Sequence, residues 1–181
     1  MKIKYIYVLI ALFYMCCACS PFGYKEPEYV KIADKITDEV AKKLKLEKEL
    51  YLVGTGGGMM NHIRMMAMGF DFYEEIDLKT ARELTVYTIN EYLSAINSNE
   101  SIRPYLCEYP FTAENIEIRI WPRKPNGENP KPGNICSISA TQGMIRYDNK
   151  PSNDLLETMH EETFAEAQRI VLLENHRKDA K

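Results

Sequence analysis

Histidine is scarce in this sequence, and basic residues do not outnumber acidic ones. Three of the 181 residues are histidine, and 23 Lys and Arg stand against 26 Asp and Glu, a formal net charge of −3 at pH 7. The shortage of histidine leaves few ways to build a catalytic triad, and the acidic balance excludes a basic nucleic-acid-binding protein. Internal repeats and low-complexity tracts are also missing from the sequence, so we expect an ordinary globular domain.

Complete catalytic motifs are lacking as well. The run from His160 to Phe164 begins like a helical zinc-protease motif, but Phe164 stands where the second ligand histidine is needed. No serine lies in a G-x-S-x-G turn, and Ser137 and Ser139 belong to an alternating strand pattern. We interpret His160 as a structural histidine, and Glu161, Glu162 and Glu166 as a solvated helix face. We therefore expect no catalysis and no cofactor, with a hydrolase as an alternative.

A continuous apolar run occupies residues 5–15, directly after Lys2 and Lys4. It is shorter than the roughly 20 residues that a membrane-spanning helix needs, and small and sulfur-bearing residues follow it. This pattern is typical of a secretory signal peptide.

The end of this segment, Ala18-Cys19, resembles the lipobox of bacterial lipoproteins, in which a small residue precedes a cysteine that is acylated and becomes the first mature residue. The sequence departs from that pattern at Cys16, where leucine is usual. The resemblance implies lipidation at Cys19, and Ser20, which is not an acidic retention signal, implies transfer to an outer membrane if the host has one. An ordinary cleaved signal with incidental cysteines is the alternative.

Three regions follow from this interpretation. Residues 1–18 are the signal peptide, residues 19–28 are the lipidated cysteine and a tether with two prolines and a glycine, and residues 29–181 are a single globular domain. Removal of residues 1–18 leaves about 160 residues, enough for one domain with a real core. It also removes Lys2 and Lys4 but no acidic residue, so the mature chain is more acidic.

The hydrophobic pattern predicts three helices and four strands. Apolar residues recur every four positions from Tyr29 to about Glu47, and a second helix begins near Asp77 and ends near Asn97. Residues 61–73, 115–121 and 134–147 have strand character, and a last helix begins at Ser152 or Asn153, with Leu156, Phe164, Ala167, Ile170 and Val171 facing the sheet. We expect an α+β fold in which a mostly antiparallel four-stranded sheet carries the helices on one face.

The glycine run from Gly54 to Gly58 has two interpretations. After a short strand at residues 51–53 it could cradle a phosphate at a helix N-terminus, but Met59 stands where the dinucleotide-binding pattern needs a glycine. The alternative is a flexible turn or bulge between two strands, which glycine permits because it tolerates positive φ.

The methionines after the glycine run could bind a soft metal. The candidates are Met59, Met60, His62, Met65, Met66 and Met68. Thioethers and imidazole bind Cu(I), but an extended strand spreads Met60 and Met68 over roughly 26 Å, whereas a helix would gather the ligands. Core packing is the alternative role for these methionines.

Cys107 and Cys136 are the thiols that remain after lipidation. An exported chain meets an oxidising compartment, so a disulfide between them is possible, although residues 109–114 would have to double back to join them. Free thiols are the alternative.

These observations predict a lipid-anchored protein of the bacterial cell envelope, held to the membrane by its N-terminal lipid. Its domain would be a non-catalytic structural or interaction module with an envelope protein as partner and no nucleic acid. A Cu(I)-binding protein and an envelope hydrolase are the alternatives.

Overall fold

The computed structural model describes residues 26–151 and 155–179. Its helices are α1 (Glu28–Lys48), α2 (Leu78–Ser98) and α3 (Phe164–Asp179). Its strands are β1 (Tyr51–Gly58), β2 (Met65–Phe72), β3 (Ile116–Pro122), β4 (Ile135–Thr141), β5 (Met144–Asn149) and β6 (Glu157–Thr163). Two short 3₁₀ helices, Arg103–Tyr105 and Ala113–Asn115, lie between α2 and β3.

The strands form one mixed sheet in the order β1-β2-β3-β4-β5-β6. β2 and β3 are parallel and the other neighbours are antiparallel. Helix α2 makes the crossover that a parallel pair requires. The α+β class is confirmed, but the prediction of a four-stranded, mostly antiparallel sheet is wrong in the number of strands.

Two strands were missed for local reasons. The region predicted as one strand, residues 134–147, divides at Gln142-Gly143, where both residues have positive φ (50° and 74°) and form the tight turn of a hairpin. Residues 157–163 were predicted as helix but pair with β5. The last helix therefore begins at Phe164, not at Ser152 or Asn153, and Leu156 is an exposed residue before β6.

The core lies between the sheet and the helices. Met66, Met68 and Phe70 pair with Ile116, Ile118 and Ile120, and all six are buried on the same face. Helix α2 packs on β3 and β4 with α1 and α3 beside it. The Thr37 and Tyr92 hydroxyls, 2.7 Å apart, join α1 to α2. Burial raises the pKa of Tyr92 above its ordinary value, so this hydroxyl stays protonated.

The boundaries of α2 follow the sequence closely. The Asp77 carboxylate accepts a hydrogen bond of 2.8 Å from the Thr80 amide, which is the predicted N-cap. The helix ends at Ser98, next to the predicted Asn97–Asn99 boundary. Helix α1 likewise buries the predicted apolar stripe, including Ile36, Val40 and Leu44.

Candidate interaction surface

Strand β1 is an edge strand whose outer side carries no charge and no proline. It pairs with β2, and no described strand pairs with its other side. Every residue of β1 except Gly58 is exposed, and the strand contains no charged residue and no proline. Charge and proline are two means by which proteins prevent unwanted pairing at an edge, and a bulge, present here between Leu52 and Gly54, is a third. The outer main-chain amides and carbonyls of β1 are therefore accessible to another strand.

The glycines explain the shape of this edge. None of the glycines in residues 54–58 has positive φ, so conformational freedom is not the reason for them. A Cβ at Gly57 would lie 2.8 Å from the Met65 carbonyl oxygen and 2.7 Å from Met59 Cε, so a side chain does not fit there. Both interpretations of the glycine run misplace its structural features. The glycines form the strand itself, and no helix begins at Met59. The bulge lies before most of the run, between Leu52 and Gly54.

One groove lies on the sheet face opposite the helices. Its floor is made by small residues of β1 and β2, and the Trp121 ring leans over Gly69, where an added Cβ would lie 2.9 Å from Cζ3. Val53 and Met65 add apolar surface, and the volume is about 340 Å³. The Arg119 Nε and Glu117 Oε1 atoms form an ion pair of 2.8 Å at its rim. This groove can hold an apolar side chain beside β1.

A second groove lies between α1 and the start of β1. It is lined by Ala41, Tyr51 and Leu52 together with Asp38, Lys42 and Lys45, and has a volume of about 280 Å³. The Lys45 ammonium lies 5.4 Å from the centre of the Tyr51 ring. Two lysines against one aspartate make this groove suitable for an acidic side chain.

The candidate soft-metal ligands are distributed over different surfaces. Met66 and Met68 are buried under the helices, while Met65 points to the opposite face of β2. Met60 and His62 are exposed in the turn between β1 and β2. The helix that would have gathered these ligands does not form, so the six residues do not converge on one point. Among the described residues, no group of three His, Cys, Asp or Glu is placed to hold a metal ion.

The two described cysteines are free thiols. Cys107 is exposed after the first 3₁₀ helix, and Cys136 is half-buried in β4. Burial raises the pKa of the Cys136 thiol, with the Asp148 carboxylate adding to the effect. Cys19 and Ser20, on which the lipidation prediction depends, lie outside the described residues.

A buried ionic network joins α2 to β6, and the sequence did not reveal it. Arg82 Nε donates to both carboxylate oxygens of Glu162 at 2.7 and 3.0 Å, and the Tyr147 hydroxyl donates to Oε1 at 2.8 Å. Burial and this carboxylate raise the pKa of Tyr147 well above its ordinary value. Glu162 is therefore not on a solvated helix face, as predicted, but in the interior on a strand.

His160 lies beside this network. Its ring stacks on Tyr147 with centroids 5.9 Å apart, and its Nε2 is 3.6 Å from Glu162 Oε2, too far for a hydrogen bond. With Arg82 and Tyr147 donating to Glu162, the arrangement joins α2 to β5 and β6. A partner eighty positions away in the chain gives no local sequence signal.

Comparison with known proteins identifies no relative: no family model, no curated protein and no solved structure matches this chain. Within residues 26–151 and 155–179, no helix is long and apolar enough to cross a membrane.

Proposed function

We propose that this protein is a lipid-anchored interaction protein of the bacterial cell envelope, and that its domain holds an extended segment of a partner protein along β1. The observation that carries the proposal is the exposed, uncharged outer edge of β1. The N-terminal lipid on Cys19 would hold the domain at the membrane, in the outer membrane if the host has one, and the domain itself would perform no catalysis.

Strand addition fits the geometry of β1. In this mode the main-chain hydrogen bonds of a sheet edge provide affinity, and pockets for alternate side chains provide specificity. The eight residues of β1 offer an edge long enough for a typical strand. Its glycines place no side chain in the way of the incoming backbone.

The two grooves define the chemistry of the partner segment. Alternate side chains of an added strand point to opposite faces of the sheet. On one face they meet Val53 and Trp121, and on the other they meet Lys42 and Lys45. The partner segment is therefore an extended stretch in which apolar residues alternate with at least one acidic residue.

Selection from displayed random peptides tests this proposal, with the mature chain carrying Cys19→Ser as the target. We expect the selected peptides to alternate apolar and acidic residues. Because Trp121 is the single tryptophan of the protein, its fluorescence reports directly on occupation of the apolar groove. Hydrogen exchange should slow in residues 51–58 when peptide binds and stay unchanged in residues 157–163, the opposite edge.

A matched pair of variants distinguishes peptide binding at β1 from binding at β6, the opposite edge strand. Val53 and Met159 lie on opposite edge strands and are similarly exposed, at 54% and 50%. Val53→Asp introduces charge into the apolar groove and should weaken peptide binding by at least about tenfold, or ~1.4 kcal/mol. Met159→Asp should leave binding unchanged.

Three outcomes would contradict the proposal. Equal loss in both variants would remove β1 as the binding edge. Peptide binding without protection of residues 51–58 would exclude strand addition. A dimer in which residues 51–58 are protected without peptide would make a second copy of the chain the occupant of the edge.

A further inference from the structure

The point where the tether joins the domain is fixed by hydrogen bonds. Tyr29, in the first turn of α1, donates its hydroxyl to the carbonyl oxygens of Met59 and Met60 at 2.9 and 3.1 Å. Its ring lies 5.5 Å from that of Tyr105. The start of α1 therefore packs on the turn between β1 and β2.

A third segment lies at the same end of the domain. The Ile63 amide donates to the Tyr105 carbonyl at 2.8 Å, and the Cys107 amide donates to the Ile63 carbonyl at 2.9 Å. The turn is thereby joined to the chain around the first 3₁₀ helix. We call residues 28–29, 59–64 and 103–109 together the anchor-proximal end.

The length of the tether keeps this end near the bilayer. The eight Cα–Cα steps from Cys19 to Pro27 span at most about 28 Å when fully extended. Helix α1, with 21 residues, is itself about 31 Å long. The distance from the lipid to the start of α1 therefore never exceeds the extended length of the tether. The other end of α1 lies about one helix length farther along the domain.

The side chains of the anchor-proximal end suit a lipid surface. Met60 is 90% exposed, the most exposed large apolar side chain among the described residues. Tyr109 is exposed, and the Arg103 guanidinium lies 4.4 Å from the centre of its ring. Tyrosine and arginine have an apolar body and a polar tip, which is the combination found at membrane interfaces.

Charged residues of both signs lie at this end. Arg64 and Arg103 are exposed, and so are Glu28 and Glu108, whose carboxylate accepts a hydrogen bond of 2.6 Å from the Asn115 amide group. A phosphate headgroup would therefore be bound by the individual guanidinium groups and not by a net positive charge. Two exposed guanidinium groups beside an apolar residue are complementary to phosphate headgroups above an acyl layer.

We propose that the anchor-proximal end is a second membrane contact, in which Met60 enters the headgroup region and Arg103 with Tyr109 rests on anionic headgroups. This inference rests on the proposed lipid anchor. Together, lipid and protein contacts would fix the orientation of the domain, because one attachment point leaves it free to rotate.

A fluorophore at two positions tests the inference in the lipidated protein. In a background with Cys107→Ser and Cys136→Ser, an environment-sensitive label is attached at Met60→Cys or at Leu46→Cys. Leu46 is the matched control because it is 84% exposed and lies in the last turn of α1. In vesicles of phosphatidylcholine and phosphatidylglycerol, the label at position 60 should shift to the blue, and the label at position 46 should report water.

The experiment separates failure of the contact from failure of the anchor. If the protein floats with the vesicles but position 60 reports water, or both positions shift equally, the contact is wrong and the anchor remains. If the protein does not float, the anchor is wrong. Arg103→Ser should reduce the shift at position 60 in the mixed vesicles, and an unchanged shift would remove the headgroup contact. A shift that requires added envelope protein instead of vesicles would identify a protein partner and overturn the inference.

Discussion

The glycines of β1 differ in the space that an added side chain would have, and substitution by alanine tests this difference. A Cβ at Gly57 would lie 2.8 Å from a backbone oxygen of β2, whereas a Cβ at Gly54 would have nothing within 4 Å. Overpacking of this kind typically costs about 1–3 kcal/mol. We expect Gly57→Ala to lower the free energy of unfolding by that amount and Gly54→Ala to change it by no more than about 0.5 kcal/mol. Urea denaturation measures both, and equal effects would contradict this account of the run.

The buried ion pair gives a second prediction at this scale. Arg82→Leu would leave the Glu162 carboxylate buried without its cation, which typically costs about 3–5 kcal/mol. The double variant Arg82→Leu, Glu162→Leu removes both charges and should recover most of the lost stability. Thermal and urea denaturation of the single and double variants test this, and a double variant no more stable than the single would show that packing, not charge, is lost.

Residues differ in how well the sequence revealed their roles. Asp77 was predictable because a cap acts on an amide three residues away. Glu162 was not, because its partners Arg82 and Tyr147 are distant in the chain and the surrounding EET pattern is equally compatible with a polar helix. The spacing of the six candidate metal ligands does not show whether they converge. Met65 lies on the opposite face of β2 from Met66 and Met68, and the other three candidates lie in the turn before this strand.

The loop between β3 and β4 is held in place by hydrogen bonds to a carboxylate that titrates, that of Glu75. The Glu75 carboxylate accepts hydrogen bonds from the Lys131 amide at 2.9 Å and from Asn134 Nδ2 at 3.1 Å. These bonds, chiefly the one from the Lys131 backbone, lower the pKa of Glu75 below its ordinary value of 4.5. The stabilisation is therefore complete above pH 4.5 and is lost as the pH falls through the lowered pKa.

We expect the hydrogen bonds between Glu75 and the loop to break as the pH falls. The Lys131 amide resonance in NMR should shift with a midpoint below pH 4.5, and Glu75→Gln should abolish that titration. Glu128, in the same loop and also with a lowered pKa, is unchanged in that variant and serves as the internal control. A midpoint at or above 4.5 would show that the contact does not form in solution.

Whole elements were predictable where one periodicity dominated. Helices α1 and α2 carry a clear apolar stripe, and β3 alternates cleanly, so all three were located from the sequence. Strand β1 offered glycines in place of an alternating pattern, and β6 presents charged residues on an edge, where solvent tolerates them. The first edge strand was therefore predicted only over residues 51–53, and β6 was predicted as helix. Because β5 was also merged with β4, the predicted sheet was too small.

At the scale of the whole molecule, the lipid anchor gives the most direct prediction. Cys19→Ala should abolish incorporation of labelled fatty acid and move the protein from the membrane fraction to the soluble fraction. Cys17→Ala, in the same segment, is the control and should leave both properties unchanged. Labelling that persists in Cys19→Ala would exclude this residue as the acylation site.

The order of the strands has a consequence for how the chain folds. Each strand pairs with the strand that precedes it in the sequence, so the sheet order is the chain order. A chain emerging N-terminus first can therefore add each strand to a neighbour that is already present, without waiting for a distant segment. Only the β2–β3 pair must wait for an intervening helix, α2. We expect assembly to pause at that step, because loop closure there is the most costly in entropy, and fragments ending before residue 116 to lack a stable sheet.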